Sequence, residues 1–291
     1  MRRIQRLAIP ALALGLALAA CGSDDTSTTE ETTVETVAES TDDTAVSETE
    51  ESTAVDVASL GLIKEGAITV CTDAPYEPFE YQVEGSDEWT GFDMDLMTAI
   101  ATDIGGLALE VTVQPFDGIW LAPKAKTCDI VASAMTITED RAANALFSDP
   151  YFDADQSILV RADDKATLVD VASLAGKTIA VQTGTTGETY AKENAAESEL
   201  KSFDEPAAMF LALEGKQVDA ILQDLPVNGA RLVKEPGKFA LTATIPTGEQ
   251  YGFAMAQDNT ALATAINGGL ANVKASGDYD TIFAKYFGTK G

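Results

Sequence analysis

The chain has 291 residues, 45% of them hydrophobic, which is enough for two modest cores, and it carries a formal charge of −28 from 47 Asp and Glu against 19 Lys and Arg. That balance excludes a nucleic-acid partner, whose affinity comes from clustered Lys and Arg displacing counterions. There is no His, which removes Ser-His-Asp catalysis and His-ligated zinc together, so neither a metal nor a cofactor is expected and any catalysis would fall to carboxylates, Lys or Tyr.

At the amino terminus Arg2-Arg3 precedes an apolar run from Leu7 to Ala20, followed by Cys21. The run is shorter than the about 20 residues a membrane-spanning helix needs but suits a secretory signal, so residues 1–20 are expected to be a signal peptide. The small residues of Leu18-Ala19-Ala20-Cys21 match the bacterial lipobox, which makes Cys21 the expected lipidation site and the extracytoplasmic face of the cell membrane the expected location. The plainer alternative is a secretory signal with an incidental Cys. Cys71 and Cys128 are then an even pair in an oxidising compartment. A disulfide is allowed, and two reduced buried thiols fit the spacing equally well.

Residues 22 to 58 are mostly Thr, Ser, Glu, Asp and Val, with twelve Asp and Glu and no Lys or Arg between Asp24 and Asp56. Such a composition cannot bury enough surface to order itself. It reads as a tether from the lipidated Cys, spanning roughly 35 Å as a flexible coil.

From Leu60 onward strand and helix signals alternate, the pattern of an α/β fold. Residues 67–71 read as a strand running into the loop 73–79. A helix begins near Asp93, presents Met97, Ile100, Ala101 and Ile104 on one face, and stops at Gly105-Gly106. Strands are predicted at 110–113 and 129–134. A second passage repeats the order: a strand at 177–181, a loop from Gln182 to Gly187, a helix from about Glu188, a helix bracketed by Pro206 and Gly215, and a strand at 218–222. The halves share a phrase, Lys126-Thr127-Cys128-Asp129-Ile130-Val131 beside Lys216-Gln217-Val218-Asp219-Ala220-Ile221. This suggests two similar lobes, although βα units can look alike without being related. The tail is helical, with Leu262, Ile266, Leu270 and Val273, then Tyr279, Ile282, Phe283 and Tyr286 at helical spacing, and it carries no apolar run long enough to span a membrane.

A free amino acid places a carboxylate beside an ammonium, so a site for one needs a fixed cation, a fixed anion and oriented dipoles. Arg141, just past the strand predicted at 129–134, could hold a carboxylate through two parallel hydrogen bonds. The loop Thr183-Gly184-Thr185-Thr186-Gly187 precedes a helix, where unpaired backbone N–H groups and the helix dipole favour an anion. It is no P-loop, since no Lys and Ser or Thr complete it. Asp224, beyond the strand at 218–222, could accept from an ammonium. Each feature taken singly also fits a plainer description: a solvated arginine, an N-cap turn, a turn aspartate.

The combination is more specific. The stretch Gly91-Phe92-Asp93-Met94-Asp95-Leu96-Met97-Thr98-Ala99-Ile100-Ala101 has a Gly-aromatic-acid-apolar-acid-apolar pattern opening a helix. With Ala74-Pro75-Tyr76-Glu77-Pro78-Phe79, Thr136-Ile137-Thr138-Glu139-Asp140-Arg141, Phe147-Ser148-Asp149-Pro150-Tyr151-Phe152, Gly184-Thr185-Thr186 and Lys285-Tyr286-Phe287-Gly288, it resembles the polar amino-acid family of ABC-importer substrate-binding proteins over residues 60 to 290. These are the family 3 solute-binding proteins of the type II periplasmic-binding-protein fold.

The resemblance implies two Rossmann-like α/β lobes joined by a two-strand hinge, with a ligand cleft between them. Lobe one would comprise 59–160 and the return segment 248–291, and lobe two 161–247, with crossings near 159–163 and 245–250. Arg141 would bind the ligand carboxylate, helped by Thr136 and the backbone at Thr186. Asp224 would bind the α-ammonium with the backbone near Ser133 or Ala134. Tyr76 and Phe116 would sandwich the aliphatic part, and Asp73 and Gln182 would face the side chain. Family members often carry Gly or Ser where Ala134 stands and Lys or Leu where Gln182 stands.

Asp93 and Asp95 are expected to stabilise the start of their helix rather than bind a metal. The implied function is non-enzymatic: a monomeric receptor that captures a polar amino acid and delivers it to ABC permease subunits. A sensory lipoprotein and a small-acid lyase on the same scaffold are the competing expectations.

Overall fold

The computed structural model describes residues 55–289, so the expected signal peptide, Cys21 and most of the acidic tether lie outside the described residues. The expected tether overlaps a short 3-10 turn at Val57–Leu60, which Asp56 caps by accepting from the Ala58 amide. Leu60 in that turn is buried.

From there the chain runs β1 (Ala67–Thr72), β2 (Tyr81–Gln82), β3 (Trp89–Thr90), α1 (Phe92–Gly105), β4 (Ala108–Val113), β5 (Ile130–Val131), α2 (Glu139–Ala142), β6 (Leu146–Phe147) and β7 (Phe152–Arg161). It continues through β8 (Thr178–Gln182), α3 (Thr186–Asn194), β9 (Glu199–Phe203), α4 (Pro206–Glu214), β10 (Ala220–Asp224), α5 (Leu225–Lys234), β11 (Phe239–Tyr251), β12 (Ala254–Met255), α6 (Thr260–Ser276) and α7 (Asp278–Phe287). β1, β8 and β10 are near-continuously apolar and buried, as parallel strands covered on both faces must be.

Two five-stranded sheets result, ordered β4-β1-β5-β12-β6 and β11-β7-β10-β8-β9, each forming the centre of one α/β lobe. In both, three parallel strands stand with the first between the second and the third, and the third is flanked by an antiparallel strand, β12 or β7. The shared phrase is the same structural device twice. Lys126 and Lys216 both adopt positive φ, 57° and 58°. Asp129 and Asp219 then each take the backbone N–H at the neighbouring strand, Thr69 at 2.8 Å and Thr178 at 3.0 Å.

Between α1 and the tail helices Leu96, Met97, Ile100, Leu262, Ile266 and Leu270 are buried, and they form one apolar core with the sheet residues Ile68 and Val70. Gly106, left-handed at φ 69°, ends α1 as expected. An aromatic cluster joins this core to the strands that link the lobes. Phe79 lies 5.1 Å from Phe152 and 5.3 Å from Tyr251, and Phe287 of α7 lies 5.0 Å from Phe152.

The linking strands are β7 and β11, paired antiparallel from Phe152 opposite Tyr251 to Arg161 opposite Phe239. The expected first crossing near 159–163 is corrected by this pairing. Gln156 to Val160 already pair with β10, so those residues belong to the second sheet and the chain changes sheets at the start of β7, earlier than the expected end of lobe one at 160. The cause is composition: β7 is a ten-residue strand whose first six residues, Phe152 to Ser157, are largely polar, so only Ile158–Val160 read as strand in the sequence. Cys71 and Cys128 form a disulfide, tying the end of β1 to the entry of β5.

Candidate ligand-binding site

Open α/β sheets bind ligands beyond the carboxyl ends of their strands, where the strand order reverses. The loops that matter here follow β1 (Asp73, Tyr76), β4 (Phe116), β5 (Ser133, Ala134, Thr136) and β8 (Thr186), while Gln182 and Asp224 are the last residues of β8 and β10. Asp224 is thus inside its strand rather than beyond it. Arg141 sits in α2, a single turn that periodicity does not reveal, capped by Thr138, whose hydroxyl accepts from the Arg141 amide at 3.2 Å. β5 pairs for only two residues of the predicted 129–134. Its extension bends away because Ala134, at φ 42°, turns its N–H to Asp93 Oδ2 at 2.8 Å.

All ten residues expected from the sequence line one narrow cavity, completed by Glu80 and Thr185. A wider groove, lined by Trp120, Tyr190 and Glu249 among others, adjoins it and shares Thr136, Arg141 and Thr186.

At one end stands the guanidinium of Arg141, a residue only 5% exposed. It donates to Thr136 O at 2.7 Å and to Gly184 O at 3.0 Å, one contact from each lobe. It also lies 5.1 Å from the ring centre of Phe116 and 5.2 Å from that of Trp120, so aromatic faces offset part of its lost hydration. Two of five N–H groups are used, leaving three for an anion. Burial pulls Arg141 below its ordinary basicity, and the charges of Asp224 and Glu249 push the other way.

Asp224 lies opposite. Its Oδ2 accepts from Tyr76 at 2.8 Å and Tyr251 at 2.5 Å, and its Oδ1 accepts from Gln156 at 2.6 Å. Burial, then the charge of Glu249, raise its pKa to about 6 despite those three bonds. At the far end Gln182 Nε2 donates to Asp73 Oδ2 at 2.5 Å and to Asp204 O at 3.0 Å. Burial lifts Asp73 to about 6 as well; the Gln182 bond opposes this, and Glu205 and Asp204 add to it.

Ser133 links two levels of the site, accepting from the Asp73 amide at 2.9 Å and donating to Glu80 Oε1 at 3.0 Å. Glu80 is fully buried, and burial and Asp93 hold it well above the usual carboxylate range. Asp93 holds the Ala134 amide and the Tyr151 hydroxyl, the latter at 2.7 Å, while Asp95 accepts from Lys285 and Tyr286 at 2.6 Å each. Asp93 therefore braces a site loop, a role beyond the expected support of its helix. No cluster of three or more potential metal ligands occurs among the described residues.

Sequence reasoning missed Glu80, Trp120, Gln156, Glu249 and Tyr251. Gln156, Glu249 and Tyr251 come from the linking strands and reach the site only through pairing across about ninety residues, which no local pattern signals. Glu80 directly follows the Pro78-Phe79 motif.

The chain is 33% identical over 226 residues to the probable histidine-binding protein of Neisseria gonorrhoeae, covering 76% of this chain and 83% of that one. It is 34% identical over 203 residues to the ABC transporter glutamine-binding protein GlnH of Bacillus subtilis (strain 168), covering 69% and 74%. Two solved structures of an ancestral arginine-binding protein, one bound to glutamine and one to arginine, superpose with a TM-score of 0.73 at 36% identity, covering 77% of this chain and 99% of theirs. Residues 68–289 match the family described as bacterial extracellular solute-binding proteins, family 3. A match over that much of the chain, with the type II periplasmic-binding-protein fold beneath it, shows that the chain belongs to that family.

Proposed function

We propose that the chain is an extracytoplasmic receptor, anchored through a lipid on Cys21, which closes on one polar amino acid and hands it to the permease of an ABC importer. It works as a monomer and performs no chemistry on its ligand. Lobe one is built on the first sheet with α1, α6 and α7, and lobe two on the second sheet, the chain crossing at the start of β7 and the end of β11.

The observation that carries this reading is the placement of Arg141 and Asp224 in one cavity, on different lobes, where a carboxylate and an ammonium on one carbon would meet them. Thr136 and the start of α3 at Thr186 assist with the carboxylate. The backbone near Ser133 and Ala134 assists with the ammonium, and Tyr76 and Phe116 enclose the aliphatic part. Asp73, in the field of Asp204 and Glu205, favours a ligand side chain ending in a cation or an amide over one ending in a carboxylate. A ligand touching both lobes makes contacts that an open form lacks, and that difference drives closure.

The test is a thermal-shift screen of the proteinogenic amino acids on protein unfolded and refolded to remove carried-over ligand. A true ligand at 100 times its Kd stabilises by about 2.7 kcal/mol. A screen in which none of them raises the melting temperature would overturn the receptor reading.

A further inference from the structure

Glu249 lies near the end of β11, where the pairing with β7 slips between Ile245 and Glu249 and Pro246, Thr247 and Gly248 loop out. That slip sets its carboxylate against both lobes. Glu249 Oε2 accepts from Thr136 Oγ1 at 2.7 Å and from Thr186 Oγ1 at 2.6 Å, and Oε1 accepts from Gln156 Nε2 at 3.2 Å. Arg141, which donates to the Thr136 carbonyl, feels the charge of Glu249.

The receptor reading assigns Arg141, Thr136 and the start of α3 at Thr186 to the α-carboxylate of an amino acid, and Glu249 takes the hydroxyls of both threonines beside that buried guanidinium. We propose that Glu249 is an internal carboxylate that competes with the ligand's α-carboxylate for the hydroxyl of Thr136 and the neighbourhood of Arg141, and so sets how strongly the receptor favours the free acid. The proposal rests on the receptor reading above. A hydroxyl carries one proton, so Thr136 Oγ1 cannot donate to Glu249 and to a ligand together. Two carboxylates beside one guanidinium also repel each other, and the site satisfies one at the expense of the other. A receptor tuned this way holds its ligand less tightly than its donors allow, which suits a protein that must release cargo.

The experiment compares each free acid with its α-amide, using L-arginine, L-histidine and L-glutamine on refolded full chain by titration calorimetry. The proteins are the wild type, Glu249→Gln and Glu249→Ala. The glutamine amide oxygen can still accept from the threonines but carries no charge. The ratio of the amide's Kd to the acid's Kd cancels any effect of a variant on closure common to both ligands. Competition predicts that this ratio rises in both variants, by about 3-fold in Glu249→Gln, where only the like charge is removed, and by up to about 10-fold in Glu249→Ala, where the Thr136 hydroxyl is freed as well. A ratio that stays put or falls while the wild type binds the acid would overturn the proposal alone. Failure of the wild type to bind these three acids or any other proteinogenic amino acid would remove the receptor reading beneath it, and the proposal with it.

Discussion

Tyr76 Oη donates to Asp224 Oδ2 at 2.8 Å, joining the loop after β1 to the end of β10 across the cleft. With Tyr251 and Gln156 it gives the Asp224 carboxylate three neutral donors, so about one lone-pair site remains for a cation. The bonds are unequal in consequence. Asp224→Asn turns an acceptor into an NH₂ facing those donors and removes the charge, and is expected to weaken amino-acid binding by about 2–5 kcal/mol. Tyr76→Phe keeps the ring and loses one donor, and is expected to cost about 1 kcal/mol. Calorimetry on both variants checks the order; equal losses would mean that Asp224 acts through Tyr76 rather than on the ligand.

Acidification should move stability and affinity in opposite directions. Burial holds Asp73 and Asp224 at about 6 and Asp93 at about 7, whereas unfolded Asp titrates near about 3.9. Between about pH 4 and pH 7 the folded chain therefore binds more protons than the unfolded one, and its stability falls as pH rises through the folded values. The ligand-free protein is expected to melt higher at pH 5 than at pH 7. Ammonium capture needs Asp224 ionised, so the increment in melting temperature from bound amino acid should shrink over the same step. Melting curves with and without the best amino acid of the screen, at both pH values, decide this, and an increment that grows on acidification would contradict it.

Much of the site was legible because its residues close local motifs. Arg141 follows Thr136-Ile137-Thr138, and Gln182 and Asp224 end apolar runs that are strands. What stayed hidden depends on long-range pairing or on backbone conformation. The bend at Ala134 needs the Asp93 carboxylate, forty-one residues earlier, to hold its amide, so the strand read at 129–134 is cut to two residues. The place where the chain changes sheets is set by which strand β7 meets, and the short apolar run Ile158–Val160 is uninformative about that. Two phrases at 126 and 216 that share their Lys and Asp were the better guide, since each encodes the same turn and the same amide-to-Asp bond.

Gly91 gives the family-like stretch a physical reason. Its φ is 116°, and an added Cβ would lie 2.1 Å from Phe79 O, the carbonyl that accepts from the Asp93 amide at 3.0 Å. Any side chain there must push α1 from the loop that carries Tyr76. Gly91→Ala is expected to destabilise by about 3 kcal/mol or more through backbone strain and the clash together. Urea denaturation measures it, and a midpoint unchanged from the wild type would show that the loop can yield.

Arg141 offers the sharpest separation between support of the fold and capture of a ligand. Its guanidinium already bridges Thr136 O and Gly184 O, so Arg141→Ala frees two carbonyls that the adjoining groove can hydrate. A carboxylate deprived of it would remain buried and unpaired, at a cost of about 2–5 kcal/mol, or roughly 30- to several-thousand-fold in Kd. Arg141→Lys keeps the charge and loses both the two-pronged geometry and the stacking on Phe116 and Trp120, so its affinity should fall between the two. Titration of the refolded variants with the best amino acid of the screen, beside melting curves of the free proteins, distinguishes the roles. If Arg141→Ala melts lower yet binds as tightly as the wild type, the guanidinium braces the lobes and the carboxylate is held elsewhere.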